Sequence, residues 1–170
     1  AFLRATEYLL DLGHTRIAFL NQSQSTYASG YGPAVRTQSA FEKVMEQHGL
    51  QGIARFCRAT PNAGYEAFDA LLAEHPDLTT LIIMNERAVP GVMQAIADRG
   101  WSIPEDFSIV SIVSSASAAE MMLPPLTTAE ASTAEMGRLG VELLIRQLEG
   151  QPYEAGILLP CKLVVRGSTA

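Results

Sequence analysis

Apolar positions in this chain fall into two alternating patterns, short unbroken blocks and longer stretches with helical spacing. The clearest succession runs over residues 79–113. Leu81, Ile82, Ile83 and Met84 form a block without polar interruption, as expected of a strand covered by helices on both faces. Val89, Val92, Met93 and Ile96 then recur at helical spacing up to Gly100. Ile109, Val110, Ile112 and Val113 make the next block. A strand, a crossover helix and a second strand most simply form a parallel pair. Pro90 conflicts with that helix if it falls in the fourth or fifth position, so the helix either starts later or has a distorted first turn.

The alternation extends in both directions. Leu3, Ala5, Tyr8, Leu9 and Leu12 predict a helix that ends at Gly13, with a strand over 17–20 behind it. That helix begins in mid-pattern with no capping residue, which predicts a longer native polypeptide. Residues 21–33 are polar, carry Tyr27 and Tyr31, and show neither a strand nor a helix period. Such a loop at the C-terminal end of a strand is a ligand-binding position in α/β proteins, or a plain mobile loop. From about Val35 the pattern turns helical, burying Ala40, Phe41, Val44 and Met45 before Gly49. A weak strand is expected at 53–56, a turn at 61–64, and then a helix with Tyr65, Phe68, Leu71 and Leu72 on one face up to His75-Pro76. Leu126 to Ala129 predicts a short strand, and 135–148 a regular helix whose buried side holds Met136, Leu139, Leu143, Leu144 and Leu148. Two strand fragments, interrupted at Pro160, are expected in the tail. The chain is α/β.

Composition removes several function classes. Its 12 Lys and Arg against 18 Asp and Glu give a net charge of -6, so this piece has no basic field for a phosphate backbone. Cys57 and Cys161 have no metal-ligand or redox spacing and read as free thiols of a reducing compartment. His14, His48 and His75 stand far apart at helix ends or turns, where a hydrogen-bonding ring needs no catalytic explanation. Phosphate-binding loops, dinucleotide fingerprints, zinc helices and nucleophile elbows are absent from the sequence. Neither an enzyme, a cofactor nor a metal is expected.

Five segments in register carry a family resemblance. The first runs from Ala5-Thr6 to Phe19-Leu20 and includes Leu12-Gly13-His14. The others are Asn85-Glu86-Arg87-Ala88-Val89-Pro90-Gly91, the Gly100 to Val110 segment with Pro104, Asp106 and Ser108, Pro124-Pro125-Leu126-Thr127-Thr128, and the Leu159-Pro160 to Arg166-x-Ser168 tail. Together they resemble the effector-binding core of the lactose and galactose repressor family of bacterial transcription regulators. The resemblance implies a three-layer, parallel-sheet fold of the periplasmic-binding-protein-like type I class. It implies mostly the C-terminal lobe, with the N-terminal lobe incomplete. Residues 1–13 would be the last helix of that first lobe, 14–123 the effector-binding lobe, 124–150 a crossing segment back to the first lobe, and 151–170 the closing strands. It further implies a cytoplasmic homodimer that senses a small molecule and holds operator DNA through an N-terminal headpiece, with no membrane involvement.

The sequence departs from the family pattern at ligand positions. Where the family commonly has an effector-gripping arginine this chain has Thr37, with Arg36 one residue early and thus about 100 degrees around the helix. Ala59 replaces a common aromatic group, and Val113 stands where an aspartate usually accepts sugar hydroxyls, with Ser114 beside it. Two expected charged partners for a polyol are missing. The resemblance with these departures assigns the effector to Tyr27, Tyr31, Arg36, Asn85 and Ser114, and favours a less hydroxylated compound over a plain sugar. Asn85 also sits where a helix N-cap would be. A periplasmic solute-binding protein of the same fold, serving a transporter, is the alternative function.

Overall fold

The computed structural model describes residues 2–112, 115–154 and 156–170. Six strands form one sheet in the order β2-β1-β3-β4-β5-β6. They are β1 (Ile17–Asn21), β2 (Ile53–Phe56), β3 (Thr80–Ile83), β4 (Ser108–Ile112), β5 (Thr127–Ala131) and β6 (Cys161–Val164). The first five pair in parallel, and β6 closes the edge antiparallel to β5. The helices are α1 (Phe2–Asp11), α2 (Gln24–Ala28), α3 (Gly32–Gln47), α4 (Pro61–Glu74), α5 (Val89–Ala97), α6 (Ala116–Glu120) and α7 (Thr133–Leu148).

Strand side chains alternate between two cores, which makes the three layers. Ile17, Phe19, Ile82, Met84, Val110 and Ile112 pack with Ala5 and Leu9 of α1 and Phe41 and Met45 of α3. Ala18, Leu20, Leu81, Ile83 and Ile109 pack with Phe68 and Leu71 of α4 and Val92 and Ile96 of α5 on the other side. The apolar blocks that give β3 and β4 were thus read correctly as strands buried on both faces.

Several boundaries differ from the sequence reading. The loop expected over 21–33 contains α2, whose Ser23 side chain accepts from the Thr26 backbone N–H at 3.2 Å, and α3 already begins at Gly32 with Pro33 in its first turn. A proline there is pre-set for a helix start. The same holds at Pro61, which opens α4 instead of a separate turn, behind the cap of Thr60 on the Ala63 N–H. Pro90 is compatible because a 3-10 turn at Glu86–Ala88 precedes α5 and puts the proline in its first turn. Among the described residues of the tail only Cys161–Val164 is a strand.

Helix α1 and the segment from 124 both contribute to this sheet and its layers. Helix α1, assigned by resemblance to the other lobe, packs on this sheet beside α3 because Ala5 and Leu9 are fully buried in its core. The segment from 124 supplies β5 to the same sheet before it leaves as α7. Helix α7 has no buried residue, and Met136, Val141, Leu144, Ile145 and Leu148 are all exposed on it. Ion pairs from Arg138 to Glu135 and Glu142, and from Arg146 to Glu142, mark its polar stripe.

The close approach of α4 and α5 depends on two glycines. A Cβ on Gly91 would fall inside the carbonyl oxygen of Pro61, and one on Gly64 inside that of Ala88. The Arg166-x-Ser168 tail is likewise structural. Ser168 is fully buried, its hydroxyl donates to the Ile109 carbonyl at 2.6 Å and accepts from the Thr127 N–H at 2.8 Å, and its own carbonyl accepts from the Ile109 N–H. Arg166 donates to the Leu126 carbonyl, the Thr128 hydroxyl and Glu130.

His14 belongs to the same end of the sheet. Its Nε2–H donates to the Ala170 carbonyl at 3.0 Å and Nδ1 accepts from the Thr79 hydroxyl at 2.8 Å. Burial lowers its pKa from the ordinary 6.5, against an opposing effect of the Ala170 hydrogen bond. The unfolded chain therefore takes up this proton more readily than the folded one. The stability that His14 contributes is complete above the ordinary pKa and is lost as pH falls through the lower folded value. An NMR titration of the His14 ring is expected to show a midpoint below 6.5, and a midpoint at or above that value would contradict the packing described.

Candidate functional site

The strand order reverses between β1 and β3, so a crevice opens beyond their C-terminal ends. Asn21 and Gln22 lead out of β1 there, and Met84 and Asn85 lead out of β3. A cavity of about 450 Å³ occupies this place, lined by Gln22, Tyr31, Pro33, Met84, Asn85, Glu86 and Arg87. A second one of about 380 Å³ shares Glu86 and continues along the ends of β4 and β5 past Ser115 and Glu130 to Ser132 and Thr133. The groove of about 390 Å³ between α4 and α5, around Tyr65 and Gly91, lies outside the helix layer and away from the strand ends.

Asn85, in the crevice lining, is buried at 5% exposure. Its amide nitrogen has no hydrogen-bond partner among the described residues. Although Asn85 precedes the 3-10 turn, its side chain makes no capping hydrogen bond. A buried amide without a partner costs free energy unless something else satisfies it. Two nearby polar side chains, Asn21 and Thr37, are already engaged. Asn21 donates to the Ala34 carbonyl at 3.1 Å and to Gln38 at 2.8 Å, and accepts from the Gln22 N–H at 2.7 Å. Thr37 donates to the Pro33 carbonyl at 2.7 Å, and its hydroxyl lies 3.3 Å from the Met84 sulfur. At the far end, Glu130 accepts from Thr128 at 2.6 Å, and this bond chiefly, with Arg166, holds its carboxyl below the usual range despite partial burial.

The residues assigned from sequence are only partly brought together. Tyr31 and Asn85 line the same cavity. Tyr27 packs its ring 5.0 Å from that of Phe56, at the end of β2. Arg36 is exposed and folds back along α3, so that a Cβ on Gly32 would lie 2.5 Å from its Nη1. Its guanidinium lies along the helix and is not among the groups lining the crevice. Ser114 and Val113 fall outside the described residues. Ala59 is exposed beyond β2. Met84 was missed as a site residue because it reads as the end of an apolar block. It lies one position past β3, which is the signal that could have found it.

Cys57 is buried, with its thiol pushed up to about 11, mainly by burial. Among the described residues no group of three His, Cys, Asp or Glu could hold a metal ion. Among the same residues, no helix is long and apolar enough to cross a membrane.

The family model of the periplasmic binding protein-like domain matches residues 6–169. The chain is 30% identical over 166 residues to a ribose operon repressor of Halalkalibacterium halodurans, covering 97% of this chain and 48% of that protein. It is 28% identical over 169 residues to the HTH-type transcriptional repressor PurR of Histophilus somni, covering 96% and 49%. The chain thus spans about half the length of the curated relatives it matches. Among solved structures, a LacI family transcriptional regulator of Bifidobacterium animalis subsp. lactis superposes with a TM-score of 0.90 at 26% identity, covering 99% of this chain and 60% of the other. A lac repressor dimer bound to operator and the anti-inducer ONPF superposes with a TM-score of 0.86 at 27% identity, covering 99% and 57%.

Proposed function

Because the chain belongs to the periplasmic-binding-protein-like domain family, in the form found in the cores of LacI/GalR transcriptional regulators, we propose that it is the effector-sensing part of such a regulator. The observation that carries this reading is the crevice at the β1/β3 reversal with the unpartnered Asn85 amide in its floor. Tyr31 and Asn85 contact the effector. Ser114, which follows β4 closely in sequence, is assigned to the effector on the resemblance alone. Tyr27 supports the loop through Phe56, and Arg36 joins the site only by swinging off Gly32. The effector is a small molecule, a sugar or a less hydroxylated compound.

The exposed apolar side of α7 is the surface on which a first lobe sits, and that lobe closes the crevice from above. Residues 133–148 thus belong functionally to the crossing segment, while α1 and β5 stay with the lobe described. Closure around the effector shifts the spacing of two DNA-binding headpieces across a homodimer in the cytoplasm. The rival reading, a periplasmic solute-binding protein, has less support, since the relatives matched are named repressors.

The test is operator affinity of the full polypeptide, measured with and without candidate small molecules. At least about a tenfold change is expected with one of them, a coupling of about 1.4 kcal/mol. Operator binding that no sugar, nucleobase or aromatic acid alters would contradict effector sensing.

A further inference from the structure

Resting on the reading above that a first lobe sits on α7, we propose that Arg166 is a two-position strut, shared between Glu130 and Glu120, that sets how far the paired ends of β5 and β6 bend from the sheet and carry α7 with them. Strand β5 outruns its neighbour. Among the described residues its register with β4 ends at Ala129, whereas Glu130 and Ala131 pair with Lys162 and Cys161 of β6. The short ribbon so formed leads into α7, and the chain returning from α7 enters it through β6. A force on the exposed apolar side of α7 therefore reaches the sheet through this ribbon.

Arg166 spans the joint. Its backbone N–H donates to the Thr127 hydroxyl, on the sheet side, at 3.0 Å. Its guanidinium then reaches along β5, donating through Nη1 to the Leu126 carbonyl at 2.9 Å and the Thr128 hydroxyl at 2.7 Å, and through Nη2 to Glu130 at 2.8 Å. The Thr128 hydroxyl donates to the same Glu130 oxygen at 2.6 Å. Lys162, opposite Glu130 in the ladder, forms no ion pair with it among the described residues. The Arg166 side chain is only 13% exposed, and a cation so nearly buried is costly to leave without a carboxylate. A second carboxylate is at hand. Glu120, at the end of α6, stands 3.6 Å from the same Nη2. Helix α6 stays with the sheet, because Ala119 is buried and its carbonyl accepts from the Leu126 N–H at 3.0 Å. A side-chain movement of about 1 Å makes Glu120 a full charge-assisted partner. Bending of the ribbon takes Glu130 away and leaves Arg166 to Glu120, so neither position strands the charge.

Spin labels at Lys43→Cys in α3 and Glu149→Cys behind α7, both exposed positions, measure the bend by pulsed electron paramagnetic resonance in the full polypeptide. Labelled protomers are diluted with unlabelled ones in a Cys161→Ser background, and the buried Cys57 stays unlabelled. Glu130→Gln is expected to raise the ratio of bent to unbent populations about tenfold, since it weakens a charge-assisted bond made only in the unbent position. Adding Glu120→Gln to that variant is expected to lower the ratio again, by about threefold, because the more exposed pair is worth less. General loosening of the fold would raise the ratio further at the second step. A ratio that Glu130→Gln leaves unchanged, or that the added Glu120→Gln raises or leaves unchanged, would overturn the strut. The readout uses no small molecule, so operator binding that no effector alters would defeat the effector reading and leave the strut standing.

Discussion

Gly91→Ala is expected to destabilise the fold by about 3 kcal/mol, the upper end for an overpacked contact. The added Cβ would meet the backbone of Pro61 and Tyr65, not the tip of a side chain that could swing aside. Helices α4 and α5 would have to separate along the contact that buries Phe68, Leu71, Val92 and Ile96. For a chain of this size the loss corresponds to a melting temperature lower by about 6–12 °C. Gly137→Ala provides the opposite sign. No atom lies within 4 Å of the place its Cβ would take in α7, so the substitution should add about 0.5–1 kcal/mol through helix propensity. Equal effects of the two variants in thermal denaturation would show that the α4/α5 contact is looser than described.

Ser168→Val is expected to cost about 3 kcal/mol, since a buried group left without its partner loses about 1–3 kcal/mol each. The valine is close in size to serine plus a methyl group, but it can answer neither the Thr127 N–H nor the Ile109 carbonyl. Both belong to strands that the tail joins at their starting ends, where β4 extends beyond its register with β5. Denaturant unfolding should show a lower midpoint with an unchanged slope. An unchanged midpoint would mean that the tail is dispensable to the sheet.

Most of the sheet was legible in the sequence because fully buried parallel strands are written as unbroken apolar blocks. The blocks that give β3 and β4 needed no tertiary information beyond that. Helix starts were less legible. Pro33 and Pro61 act as first-turn residues only once the chain before them has been placed, and Ser23 as a cap could be confused with ordinary loop polarity. Helix α7 shows the limit of periodicity. Its apolar side was rightly predicted to exist, but spacing does not say what covers it, and Leu144 and Leu148 remain 55% and 78% exposed.

The crevice lining was readable at two levels. Asn85 and Tyr31 stand at strand and loop positions that topology brings together, and the resemblance pointed to both. The orientation of Arg36 along α3, and the capture of the Thr37 hydroxyl by the carbonyl four residues earlier, follow from side-chain packing that no sequence pattern records. Met84 was hidden for the converse reason. Its apolar character satisfies the strand pattern so well that its place in the crevice lining carries no separate mark.

The most direct measurement is the effector-dependent change in operator affinity of the full polypeptide carrying Asn85→Ala, beside the unaltered protein. Removing the amide should leave operator binding without effector unchanged, because Asn85 lies in the crevice and caps no helix. It should raise the effector concentration needed for half response by about tenfold or more, the loss of a buried hydrogen bond to the ligand. An unaltered response would contradict the placement of the effector at the ends of β1 and β3.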